Sequence, residues 1–255
     1  MRNELKILSV HSMATHGTAS MKVAISLLGS RILPVPSIYL TGLTNIPGFQ
    51  KFALPFEAML VGSLELARKR GQKLLLYIGY LANATQAETL SSAIKEYRDI
   101  IQHILIDPVS GDHGKIYVAE EVISVWPMLL KQADWALPNY TELQLFSGLA
   151  PDRSIEAHVN AFQQSFPNLS FIATSIPFDE DIGLHLYHEG EDWQFSHEKL
   201  THNYGGTGDV FAISFIEAFW LNGLSAKEAV KEGANRCLKL IRKAKDQKAD
   251  QLIVE

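Results

Sequence analysis

The stretch HNYGGTGDVFAISFIEAFW, residues 202–220, joins three glycines, a threonine and an acid to a dense apolar run. Residues 210–221 are apolar nearly all round, interrupted by Ser214 and Glu217. That is the pattern of a buried helix. The start of such a helix carries unpaired N–H groups and the positive end of the dipole. Glycines just ahead of it let the backbone fold close around an anion. The N–H groups of GGTGD can therefore form an anion hole for a phosphate. Asp209 beside them suits a base that takes the proton of an attacking hydroxyl. A purely local role fits the same residues, because Asp is a favoured cap after a glycine-rich turn.

Two further groups of residues have the chemistry that a phosphate site needs. IDPVSGD, residues 106–112, puts Asp107 at the end of an apolar run and Asp112 in the following loop. Mg²⁺ commonly keeps several waters and uses one or two carboxylates, so such acids suit it. Asp-Pro and Gly-Asp are also ordinary turn formers. PNYTE, residues 138–142, puts Asn139 and Glu142 where another apolar run meets a helical pattern. An acid there is also favoured by the helix dipole alone.

The elements that must position these residues are visible as alternating patterns. Residues 5–10, 31–40, 73–80, 103–107, 133–139 and 171–176 read as strands, and 183–195 as a hairpin. A helix is expected up to Gly29. Others are expected from capping boxes at Thr85/Glu88, Thr141/Gln144 and Ser225/Glu228, the second of them closed by Gly148. Continuous apolar strands between helices imply an α/β protein with a mostly parallel sheet covered on both faces. Ligands in such sheets sit beyond the carboxyl ends of the strands. The loops at 12–17, 79–80, 107–112, 139–142 and 174–175 are thus the expected edge of the site. No linker or repeat divides the chain, so 1–255 reads as one domain.

The 255 residues carry a net charge of -5, which argues against a nucleic-acid partner. No run approaches the ~20 apolar residues of a membrane span, and the start lacks the shape of a signal peptide. With one cysteine, Cys237, no internal disulfide forms, and a cytoplasmic protein is expected. Neither the G-x-x-x-x-G-K-[ST] loop nor a G-x-G-x-x-G after the first strand is present. The histidines, including His11, His16, His113 and His202, show no metal-ligand spacing and read as loop residues. Cys237 reads as core rather than nucleophile, and the four tryptophans as packing.

GGTGD resembles the anion-hole motif of the ribokinase-like superfamily. DPVSGD followed by IYV and LPNYTELQLFSG resembles its pyridoxal kinase branch, as do ILSVHSMATHG, PVPSIYLTGLT and IGYL. The resemblance spans about residues 5–244. It implies a three-layer sandwich with a mostly parallel sheet. It also implies a kinase moving the γ-phosphate of ATP to the 5′-hydroxymethyl of pyridoxal, pyridoxine or pyridoxamine. Asp209 would be the base, and Gly206, Thr207 and Gly208 the anion hole. Asp107 and Glu142 would hold Mg²⁺, largely through water, while Asn139 and Thr174 face the phosphates. K⁺ would lie near Asp107 and Thr174. Asp112 and Tyr117 would belong to the loop closing over ATP. Ser12 would meet the ring nitrogen, Thr44 the phenolic oxygen, and Tyr80 would stack on the ring. A homodimer is implied by the same resemblance.

The departures from that pattern all concern the acceptor. Met13 stands where the branch often has histidine, Ser20-Met21 where it often has Gly-Asn, and Leu43 and Ile46 where its flap has histidine and tyrosine. The rival readings are a hydroxymethylpyrimidine kinase of thiamine synthesis and a non-catalytic binder of vitamer or nucleotide. The DPVSGD loop and the absence of G-S-D-x-S-G-G-A-G favour the pyridoxal side. The survival of Asp209, its glycines and Glu142 together favours catalysis.

Overall fold

A computed structural model describes residues 5–200 and 204–254. The first strand, β1 (Lys6–His16), leads into α1 (Met21–Leu28), which ends at Gly29 as expected. Then come β2 (Ile32–Gly42), the short β3 (Lys51–Phe52), α2 (Phe56–Lys69), β4 (Leu74–Ile78) and α3 (Ala84–Glu96). The middle holds β5 (Ile101–Ile106), the small strands β6 (Gly111–Asp112) and β7 (Lys115–Ile116), and α4 (Glu120–Leu130). It continues through β8 (Trp135–Ala136), α5 (Tyr140–Ser147), α6 (Ile155–Ser165) and β9 (Ser170–Phe178). The chain then forms β10 (Asp181–His188), β11 (Glu191–Glu198), α7 (Thr207–Ile216) and α8 (Ala226–Asp246).

Nine strands form one sheet in the order β11-β10-β9-β8-β5-β4-β1-β2-β3, and β6 pairs with β7 apart from it. The six strands from β9 to β2 run parallel; β3, β10 and β11 run against their neighbours. LLLYI in β4 shows why its strands are apolar throughout. Leu74, Leu76 and Ile78 face one core with α2 to α6, while Leu75 and Tyr77 face a second with α1, α7 and α8. Successive side chains alternate across a sheet, so a strand covered on both sides must be apolar at every position. Pro34 and Pro36 are tolerated in β2 because its outer side is paired with β3 only at Tyr39 and Leu40. The expected hairpin is β10–β11, turning at Glu189 (φ 51°) and Gly190 (φ 80°), the left-handed pair that matches strand twist.

Some boundaries differ from expectation. Residues 12–16 continue β1 instead of forming a loop, so His11 and His16 are strand residues. Asn83, not Thr85, caps α3, accepting from the Gln86 N–H. Asn139 and Glu142, not Thr141 and Gln144, make the capping box of α5, while Gly148 ends it as expected at φ 71°. Ser225 and Glu228 do cap α8. The buried helix starts three residues before Val210 and finishes in a π-turn at Glu217–Leu221. No helix among the described residues is long and apolar enough to cross a membrane.

Candidate active site

The carboxyl ends of β1, β4, β5 and β8 converge on the N-terminus of α7. Gly206 caps that helix at φ 89°, and a Cβ there would lie 2.4 Å from the Thr18 carbonyl oxygen. Only glycine combines that dihedral with that approach. Gly205 and Gly208 are exposed, so the first turn of α7 opens to solvent. Asp209 is nearly buried, at 9% exposure. It is not the helix cap. Its Oδ2 accepts the Ser20 N–H at 2.7 Å, and its Oδ1 lies 3.0 Å from His11 Nε2. Ser20 sits at φ 57°, ψ -130°, a conformation that non-glycine residues adopt only when their surroundings impose it. Here that conformation aims an amide at the carboxylate.

Asp107 follows β5, and its N–H donates to the Ile78 carbonyl at 2.8 Å. Burial, then Glu142 and Asp209, push its carboxyl well above the usual range. Glu142 is buried, with Oε1 accepting the Ser110 N–H at 2.9 Å and Oε2 the Asn139 N–H at 3.0 Å. Burial pushes its carboxyl up to about 8, opposed by these amides. Asn139 is equally committed: Oδ1 accepts the Glu142 N–H and Nδ2 donates to the Gly111 carbonyl at 2.7 Å. Asn139 also bridges Thr174 of β9, whose N–H reaches the Pro138 carbonyl. Asn139 and Glu142 thus tie the 108–111 loop to the start of α5, and Glu142 has little capacity left for a direct metal bond. Asp112 lies in β6, and the half-exposed Tyr117 follows β7. Together they form a small hairpin beyond the sheet edge.

The acceptor side is less assembled. Ser12 is buried, and its hydroxyl donates to Ser20 Oγ at 3.0 Å. Tyr80 is partly buried, with its carbonyl accepting from Ser37 Oγ at 2.6 Å. Thr44 is in an exposed turn after β2. Leu43 packs against Gly17, where a Cβ would meet its Cγ at 2.4 Å, and it lies beside Gly205. His202 falls outside the described residues. Cys237 is no nucleophile: burial pushes its thiol up to about 12 and Sγ donates to the Thr207 carbonyl.

Sequence reasoning missed His11. It was placed in a loop because β1 was expected to stop at Val10. The alternation Ile7, Ser9, His11 along a longer strand was the available signal, since it points all three at the α7 face. His11, Asp107 and Asp209 each bring one donor atom within 4.8 Å of the others. The charges acting most strongly on Asp107 are Glu142, Asp209, His11 and Asp112, three of them acids. A cluster of acids, two of them buried and so poorly balanced by basic side chains, fits a divalent cation held mainly by oxygen.

The model of the phosphomethylpyrimidine kinase family matches residues 73–254. Pyridoxal kinase of Arabidopsis thaliana is 26% identical over 230 residues, covering 83% of this chain and 73% of its own length. A Bacteroides thetaiotaomicron protein named for the phosphomethylpyrimidine kinases superposes with a TM-score of 0.86 at 26% identity, over 96% of this chain and 89% of that one. A second crystal form of it, with pyridoxal, gives 0.83 at 27% identity, over 94% and 88%. Pyridoxal kinase of Leishmania donovani with ADP and pyridoxamine shares the fold at TM-score 0.81 and 22% identity, over 94% and 87%. With its sheet order, its glycine-capped α7 and these likenesses, the chain belongs to the phosphomethylpyrimidine kinase family, in the pyridoxal kinase branch of the ribokinase-like superfamily.

Proposed function

We propose that the chain transfers the γ-phosphoryl group of ATP to the 5′-hydroxymethyl of pyridoxal, pyridoxine or pyridoxamine. The observation that carries this is Asp209, a carboxylate bonded by the Ser20 N–H and faced by His11 beside the open, glycine-lined start of α7. Asp209 accepts the acceptor hydroxyl's proton as the oxygen attacks. The N–H groups of Gly206, Thr207 and Gly208, with the helix dipole, stabilise charge on the transferred group. Asn139 and Thr174 stand at the phosphate edge, and the Asp112–Tyr117 hairpin covers ATP. Mg²⁺ would be held by Asp107 and, through water, by Glu142, and would supply charge neutralisation at the phosphate oxygens. K⁺ near Asp107 and Thr174 would add to it. Ser12, Thr44 and Tyr80 hold the ring; Ser12 must turn its hydroxyl from Ser20 to do so, and Thr44 must be brought in by movement of its turn.

The reading places the protein in the cytoplasm as a homodimer. Exposed Tyr39 and Phe52 at the β3 edge of the sheet support a partner there. Light scattering should return the mass of two chains; the mass of one would overturn the dimer.

An ATP-consumption assay with Mg²⁺ and K⁺ tests the activity, with the three pyridine vitamers and hydroxymethylpyrimidine side by side. Turnover on the vitamers is expected. Turnover on the pyrimidine alone would move the acceptor to thiamine synthesis, the reading favoured by the family's own description. ATP binding without turnover would leave a non-catalytic binder.

A further inference from the structure

We propose that His11 is a positioning residue for Asp209, holding its Oδ1 through a protonated Nε2. The inference rests on the kinase reading for its consequence, but on geometry for its substance. His11 Nδ1 faces two backbone donors, the N–H of Ser12 at 3.0 Å and that of Tyr80 at 3.3 Å. A nitrogen that accepts from both carries no proton itself. In the neutral ring the proton is therefore on Nε2, and Nε2 is the atom 3.0 Å from Asp209 Oδ1. The ring is 3% exposed, so water cannot replace this contact. The Nε2–H direction lies off Oδ1, so the two atoms are in contact without a hydrogen bond and Nε2 has no hydrogen-bond partner elsewhere. The contact would straighten with a small shift of the carboxylate when a substrate hydroxyl arrives, since catalytic hydrogen bonds often tighten only in the complex.

The same tautomer argues against a metal on this nitrogen. A metal-binding Nε2 needs its lone pair, which would put the proton on Nδ1, facing two N–H groups. The cluster of His11, Asp107 and Asp209 is thus two acids and a hydrogen-bond donor, not a three-ligand metal site. The backbone around it is built for the ring. A Cβ at Gly79 would lie 2.3 Å from His11 Nε2 and Cδ2, so glycine is the residue that leaves room. Ser20 N–H bonds Oδ2 and His11 Nε2 stands against Oδ1, so the straightened contact would fix the carboxylate at both oxygens. His11 sits 198 positions before Asp209, and its role comes only from the crossing of β1 beneath α7.

The test uses the full chain and two substitutions of different reach. His11→Asn keeps an acceptor for the Ser12 and Tyr80 N–H groups but is too short for Asp209. His11→Gln extends an amide N–H back toward it. His11→Asn should lower kcat by about tenfold or more, the scale of other orienting contacts behind a reactive group. KM for ATP and the melting temperature should be nearly unchanged, and His11→Gln should recover most of the loss. In an Asp209→Asn background, His11→Asn should cost nothing further, because residues acting as a unit are not additive. Nitrogen NMR of labelled histidine should show the Nε2–H tautomer at His11, with a resonance that moves in Asp209→Asn. An Nδ1–H tautomer, an unchanged kcat in His11→Asn, or an additive loss in the double variant would overturn the proposal. A wild-type chain inactive on every acceptor would instead refute the kinase reading, and the tautomer with its response to Asp209→Asn would still decide the contact.

Discussion

In the proposed reaction Asp209 takes the proton on a carboxylate whose Oδ2 is bonded by the Ser20 N–H and whose Oδ1 stands against His11. Asp209→Asn preserves an acceptor for the Ser20 N–H and removes the base. It should lower kcat by about a hundredfold or more, within the range of a positioned base, with the melting temperature little changed. A folded variant turning over near the wild-type rate would refute the role. Asp209 was legible in the sequence because glycines, an acid and an apolar run in that order have few other uses. Asn139 and Glu142 were legible as a strand-to-helix junction, but their mutual capping was not. Thr141 and Asn139 are both good caps, and the choice falls on Asn139 because its backbone is still extended, at φ -74° and ψ 173°. His11 was not legible, because a polar residue after a short apolar strand marks a strand end unless something across the sheet receives it. What receives it lies near the far end of the chain.

Among the elements, the start of α7 is the most tightly specified. Gly206 combines a left-handed backbone with a 2.4 Å approach to the Thr18 carbonyl. Gly206→Ala should therefore destabilise the fold by about 1–3 kcal/mol from backbone strain alone, and more from the displaced 18–20 segment. Since that segment carries the Ser20 N–H that holds Asp209, kcat should fall as well. An alanine variant with wild-type melting temperature and turnover would show that the approach is not needed. Strands with both faces buried were readable to within two residues at either end in β4 and β9. β1 and β2 were read short, because beyond residue 11 they leave the two-sided core and form an extension. There Ala14, Ile38 and Leu40 make a separate small cluster with Leu43, Phe49 and Tyr80. In the proposed reaction that extension lines the acceptor side, where a pattern tuned to the main core says least.

For the molecule as a whole, gathering Asp107, Glu142 and Asp209 at one sheet edge has a cost that depends on pH. Glu142 has its carboxyl raised from 4.5 to about 8 in the folded protein. A raised acid binds its proton more tightly folded than unfolded, so its contribution is full below the unfolded value and is lost as pH rises through the folded one. In the presence of a chelator, the melting temperature should fall as pH rises from about 6 to about 8, and Mg²⁺ should restore part of the loss by binding the folded state alone. A melting temperature that is flat or rising over that interval, with no response to Mg²⁺, would contradict this. The sheet order has a different consequence. β1 lies near the middle of the sheet, yet the helices α7 and α8 that cover its second face are synthesised after every strand. A nascent chain that has emerged through β11 already owns every strand, but Ile7, Leu75, Leu105 and Trp135 have only α1 over part of their face. Such half-covered sheets associate with one another, as partly folded intermediates do. Docking of α7 and α8 closes that face, and the same event brings Asp209 to Ser20 and His11.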